Sequence, residues 1–115
     1  MIGKSTDQLK AFIIQCLEAK KAEDIQCLDV KNRTSVADYM VFASGRSRKN
    51  IKAIADYISL ELKHEWKYNV TPEGAQDTDW ILIDAGRVIV HLLHPDAREK
   101  LNLEEFWGNK YVIAG

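Results

Sequence analysis

Cysteine is scarce in this chain. Cys16 and Cys27 are the only two among 115 residues, and they form no Cys-x-x-Cys pair. A disulfide framework is therefore excluded, and buried free thiols in a reducing cytoplasm are expected. Long apolar runs are also missing. The opening Met-Ile-Gly-Lys-Ser-Thr-Asp carries neither a secretory apolar core nor an Arg-rich transit pattern. No stretch approaches the ~20 apolar residues of a membrane span. An excess of one charge is absent as well: 16 basic side chains face 17 acidic ones, for a formal net charge of −1. That balance argues against a protein held mainly by sequence-independent phosphate contacts, though it leaves room for a local basic patch. Repeats, linkers and low-complexity tracts do not occur. What is present is the composition of one ordinary globular domain, long enough to bury a core without disulfide or metal.

The apolar spacing predicts two substantial helices. Leu9, Phe12, Ile13, Cys16 and Leu17 make one stripe over residues 5–21, and Ser5 with Gln8 fits a capping box. Ile51, Ile54, Ala55, Ile58 and Leu62 make the core face of a long helix over 48–66, with Ser47 as its cap. Strands are expected over 24–31, where Ile25, Cys27 and Val30 would be buried, and over 38–44, whose continuous apolar character suits a central position. A short third strand is expected within 67–72, followed by a loop through Pro72 and Gly74. Pro95 suits the first position of a short helix to about Lys100. Asn102 with Glu105 reads as a second capping pair, leading into Phe106-Trp107, which is expected to pack on the protein's own sheet.

The most informative stretch runs from Trp80 to Pro95. Two β-branched apolar runs, 80–83 and 88–93, flank Asp84-Ala85-Gly86-Arg87, so an antiparallel hairpin is expected. Alternation puts Trp80, Leu82 and Asp84 on one face and Ile81, Ile83 and Ala85 on the other. Both faces are largely apolar. Such a hairpin either lies mid-sheet with both faces covered or keeps one face for a partner. Trp80 and Leu82, with Val88 or Val90, can form an apolar patch with Asp84 at its edge, the make-up of a binding hot spot; Trp80 as plain core is the competing reading.

Other chemistry is poorly supported. His91 and His94 point to opposite faces, and Cys16, Cys27 and His64 lack metal-ligand spacing, so no metal or cofactor is expected. Ser44 and Ser47 form no nucleophile elbow. The Ala43-Ser44-Gly45-Arg46-Ser47 turn feeds a helix N-terminus, and Arg46, Arg48 and Lys49 add positive charge there, which an anion or RNA phosphate would suit. This turn resembles the small-residue turn of nucleotidyltransferase folds. Those enzymes hold divalent metal on paired strand carboxylates, and here Asp84 stands alone, so the fold is expected without the reaction.

Taken together, Lys20–Ile25, Val36–Val41, Ala43–Ser47, Lys52–Asp56, Trp80–Gly86, Val88–His91 and Leu103–Trp107 resemble the Iojap family, the ribosomal silencing factors. The likeness covers about residues 8 to 108, which implies a single Iojap-like domain over 1–108 and a C-terminal tail over 109–115. It implies an α/β fold with a mixed five-stranded sheet packed with helices, nucleotidyltransferase-like in topology but lacking the catalytic carboxylates. It further implies a non-enzymatic cytoplasmic protein that binds the large ribosomal subunit, chiefly its fourteenth ribosomal protein, near the subunit interface. Small-subunit joining is then blocked and translation repressed; organellar relatives assist large-subunit assembly, and a homodimer of the free protein is allowed. The family's binding motif falls on Trp80, Leu82 and Asp84. Arg46, Arg48 and Lys49 are candidates for a minor ribosomal RNA contact. The alternative is a nucleotide-binding enzyme using the Ser44–Ser47 turn. Two departures from the family pattern, Arg87 after the hairpin glycine and the basic Arg48-Lys49, are expected to make this surface more positive.

Overall fold

A computed structural model describes residues 5–74 and 79–107, apart from the side chains of Phe106 and Trp107. Helix α1 (Thr6–Ala19) begins as its sequence predicts. Ser5 Oγ accepts from the Gln8 backbone N–H, and Gln8 Oε1 accepts from that of Ser5, so two otherwise orphaned donors are satisfied. Strand β1 (Glu23–Asp29) follows. It stops short of the expected Lys31 because the Asp29 carboxylate accepts the Lys31 N–H at 3.0 Å and turns the chain. Val30 is buried, but on the sheet face opposite to the one where Ile25 and Cys27 pack. Cys16 is buried and burial pushes its thiol up to about 11, whereas Cys27 is only half-buried.

Strand β2 (Tyr39–Ser44) is buried throughout and leads into helix α2 (Arg48–Trp66). The hairpin is formed by β3 (Trp80–Ala85) and β4 (Val88–Leu93), and helices α3 (Pro95–Leu101) and α4 (Leu103–Trp107) follow. Among the described residues the sheet has four strands in the order β1-β2-β4-β3. β1 is antiparallel to β2 and β3 to β4, while β2 and β4 run parallel, which requires the long crossover that α2 supplies.

Four strands correct the expected five. The segment over 67–72 makes no strand. Lys67 takes a left-handed backbone at φ 55°, and the Tyr68 N–H bonds back to the Leu62 carbonyl, so this stretch first finishes α2. Among the described residues between α2 and β3, only Glu73 reaches the sheet, exchanging backbone hydrogen bonds of 2.8 and 2.9 Å with Leu82 on the outer side of β3.

The two faces are covered differently. Helices α1 and α2 seal Val41, Ala43, Ile81, Ile83, Val88, Val90 and Leu92 against Ile13, Leu17, Ile54 and Ile58. The opposite face buries Met40, Phe42, Ile89 and Leu93 with Val30 and Ala37 of the β1–β2 loop, while Leu28, Trp80, Leu82, Ala97 and Leu103 pack around them and stay partly open. The packing expected of Phe106 and Trp107 lies outside the described side chains.

Candidate functional site

The second face of the sheet carries the candidate site. Trp80, Leu82 and Asp84 share it, at the edge strand, as alternation requires. Trp80 and Leu82 are half-buried and Asp84 is exposed. The patch differs from the expected one in its cross-strand members. Val88 and Val90 lie under the helices on the opposite face; registration instead sets Leu93, His91 and Ile89 beside Trp80, Leu82 and Asp84. The strands run on to Ala85 and from Val88, so the link is the two-residue turn Gly86-Arg87; it pairs Ala85 with Val88, and each β4 side chain shares a face with its β3 partner.

Three rings cross this face. Phe42 and His91 are registered neighbours on β2 and β4, with centroids 4.6 Å apart and planes within 7°. The Trp80 ring lies 6.0 Å from His91, and its Nε1–H donates to His91 Nδ1 at 3.2 Å. His91 is only 4% exposed. Burial drives its pKa down to about 4, against a smaller upward pull from the Glu104 carboxylate. Its Nε2 is buried and has no hydrogen-bond partner among the described residues.

At the hairpin turn, Asp84 Oδ1 accepts the Gly86 N–H at 3.0 Å, and Gly86 takes φ 77°. Arg87 does not add free positive charge to this surface, contrary to the sequence expectation. Its guanidinium pairs with Asp38 at 2.7 Å and donates to the Ser35 carbonyl at 2.9 Å, tying the β1–β2 loop to the hairpin.

The basic turn before α2 lies at the other end of the hairpin, the Trp80 end of the sheet. Ser47 Oγ caps the helix by accepting the Asn50 N–H, and the Arg46 N–H donates to Asn50 Oδ1. Arg48 Nε lies 2.8 Å from Asp79, whose carboxyl is held below the usual range by that hydrogen bond. Arg46 and Lys49 are exposed. Gly45 is required by packing: an added Cβ would lie 2.7 Å from Ile51 Cγ1. Ser44 Oγ accepts from Arg98 at 2.8 Å, and Arg98 grips Glu104 with two bonds of 2.7 and 2.8 Å. Sequence reasoning missed this cluster. Arg98 follows Pro95 on a short helix, and nothing in the spacing shows that it reaches the end of β2. Both serines of the turn are thus engaged by the chain itself. Among the described residues no group of three or more His, Cys, Asp or Glu side chains can hold a metal. His94 caps α3 through Nδ1, away from His91.

These features define a mixed-sheet α/β domain with helices on both faces and a partly open apolar row at one edge. The same fold is seen in a crystal structure of a Chromobacterium violaceum protein, which superposes with a TM-score of 0.87 at 32% identity, covering 93% of this chain and 89% of that one. The family described as ribosomal silencing factor during starvation matches residues 3–114, and the chain belongs to that family. Ribosomal silencing factor RsfS of Bacillus subtilis is 39% identical over 101 residues, 88% of this chain and 85% of its own. The mouse protein named mitochondrial assembly of ribosomal large subunit protein 1 is 31% identical over 100 residues, covering 84% of this chain and 43% of the mouse protein. No helix among the described residues is long and apolar enough to cross a membrane.

Proposed function

We propose that this chain silences ribosomes by docking on the large subunit through the edge row Trp80, Leu82 and Asp84. The partner on that subunit is its fourteenth ribosomal protein, near the subunit interface, and the bound domain excludes the small subunit by steric overlap. The observation that carries this reading is the row itself. An indole and a leucine stand partly open beside an exposed carboxylate, on a sheet face whose centre is otherwise buried. An aromatic anchor with an apolar neighbour and a charged rim is the composition of an interface hot spot. Family membership supports the silencing role, and the mouse relative's name supports the large subunit as partner.

On this reading the protein is not an enzyme and works in the cytoplasm with the ribosome. Its docking domain is residues 1–108, kin to nucleotidyltransferase folds, and a homodimer of the free protein is compatible with it. Arg46 and Lys49 are the side chains placed for a minor ribosomal RNA contact, with Arg48 shared with Asp79. The name of the mouse relative also favours a second reading, assistance in large-subunit assembly.

Co-sedimentation with purified large subunits tests the proposal. Removing a hot-spot aromatic commonly costs ~2 kcal/mol or more, so Trp80→Ala should weaken binding at least about tenfold while circular dichroism stays unchanged. A folded Trp80→Ala variant that binds like the parent would sink the assignment. Exclusion of the small subunit is read in the same gradients as a loss of joined ribosomes when the parent protein is added.

A further inference from the structure

We propose that His91 is the positioning residue of the docking surface: its bare Nδ1, stacked in place by Phe42, holds the Trp80 indole in the orientation that meets the partner. This inference rests on the docking reading above. Indole Nε1–H is a donor only, so the imidazole nitrogen facing it at 3.2 Å accepts. A neutral imidazole has one acceptor and one donor nitrogen, so the proton resides on Nε2. That Nε2 is buried and lacks a partner among the described residues.

An unpaired buried donor is unfavourable. A phenyl ring at position 91 would keep the stack on Phe42, at 4.6 Å between centroids, without that penalty. What the imidazole adds is the acceptor for Trp80. Trp80 sits half-buried at the start of β3, which has a full strand partner on one side only. The ladder fixes its backbone, not the two side-chain torsions that aim the indole. A hydrogen bond from β4 selects among those rotamers before the partner arrives, which reduces the ordering cost of binding.

Two substitutions separate this role from plain packing. His91→Phe keeps the ring and removes the acceptor. His91→Asn discards the ring and keeps an oxygen where Nδ1 was. Positioning predicts that His91→Phe shifts the Trp80 indole N–H resonance, assigned by its loss in Trp80→Phe, and speeds its exchange with solvent. It also predicts large-subunit binding about fivefold weaker, the loss of one hydrogen bond. His91→Asn should bind within about twofold of the parent. In a Trp80→Ala background, His91→Phe should have no further effect on binding.

The reverse order, with Phe tolerated and Asn not, overturns the inference. If Trp80→Ala abolishes binding while His91→Phe leaves both the indole signal and binding unchanged, the inference falls alone. If Trp80→Ala binds normally, the docking reading falls and takes this one with it. Should either variant fail to fold, nitrogen-15 spectra of the unsubstituted protein decide: a proton on Nε2 and coupling between Trp80 Nε1 and His91 Nδ1 support positioning, and a proton on Nδ1 overturns it.

Discussion

Single residues carry two strong constraints. His91 is buried in its neutral form, with a pKa lowered to about 4 from an ordinary 6.5. The unfolded chain takes up a proton below about pH 6.5 while the native state does not, so stability is complete above that range and falls as pH drops toward 4. Below both values the loss from this residue approaches about 3 kcal/mol. Denaturant unfolding at pH 7 and pH 4 should show it, and His91→Asn should show a smaller drop than the parent by a similar amount. The second constraint is Gly86. Its φ of 77° suits glycine, and an added Cβ would collide with Tyr68 Oη. Gly86→Ala should destabilise by about 1–2 kcal/mol from backbone strain alone, plus the clash. In a Tyr68→Phe background, which removes the colliding oxygen, the cost should be smaller. Thermal unfolding of the four proteins tests this.

Elements were legible to the extent that their signals are local. The capping box at Ser5 and Gln8, the Ser47 cap and the stripe Ile51 to Leu62 all appear where periodicity puts them, because helix ends and faces depend on residues within four positions. Ser47→Ala should therefore cost about 1 kcal/mol, measured by denaturant unfolding, with large-subunit binding unchanged. If binding also fails, the turn before α2 belongs to the docking surface. The segment 67–72 shows the limit of such reading. Tyr-Asn-Val-Thr suits a strand by composition, yet it lies behind a left-handed Lys67 and reaches the sheet only at Glu73. Strand formation needs a partner edge in register, and no local signal supplies one. The Asn102–Glu105 pair is a similar case. Asn102 closes α3 in a left-handed conformation and bonds Glu105 side chain to side chain, in place of a capping box.

For the whole molecule, the question is whether apolar contact or charge governs docking. Arg87 is paired with Asp38 and Arg48 with Asp79, so neither arginine stands as an uncompensated charge. Large-subunit affinity should then fall by less than about tenfold between 50 and 200 mM salt, where six to ten phosphate contacts would lose 10³-fold or more. A steep salt dependence would assign the main grip to ribosomal RNA. Asp84→Asn keeps the oxygen that accepts the Gly86 N–H but drops the charge. It should leave stability unchanged and weaken binding by up to about fivefold, the range of a rim charge.

The sequence by itself determined the two long helices, their caps at Ser5 and Ser47, the neighbourhoods of all four strands and the face shared by Trp80, Leu82 and Asp84, because each follows from a period of 3.6 or 2 or from a cap a few residues away. Only the tertiary structure decided that Val88 and Val90 turn from this face while His91 joins it, that Arg98 spans from α3 to Ser44, and that Arg87 is paired. Those outcomes depend on register between strands and on side chains meeting across dozens of positions, and no local pattern encodes which groups will meet.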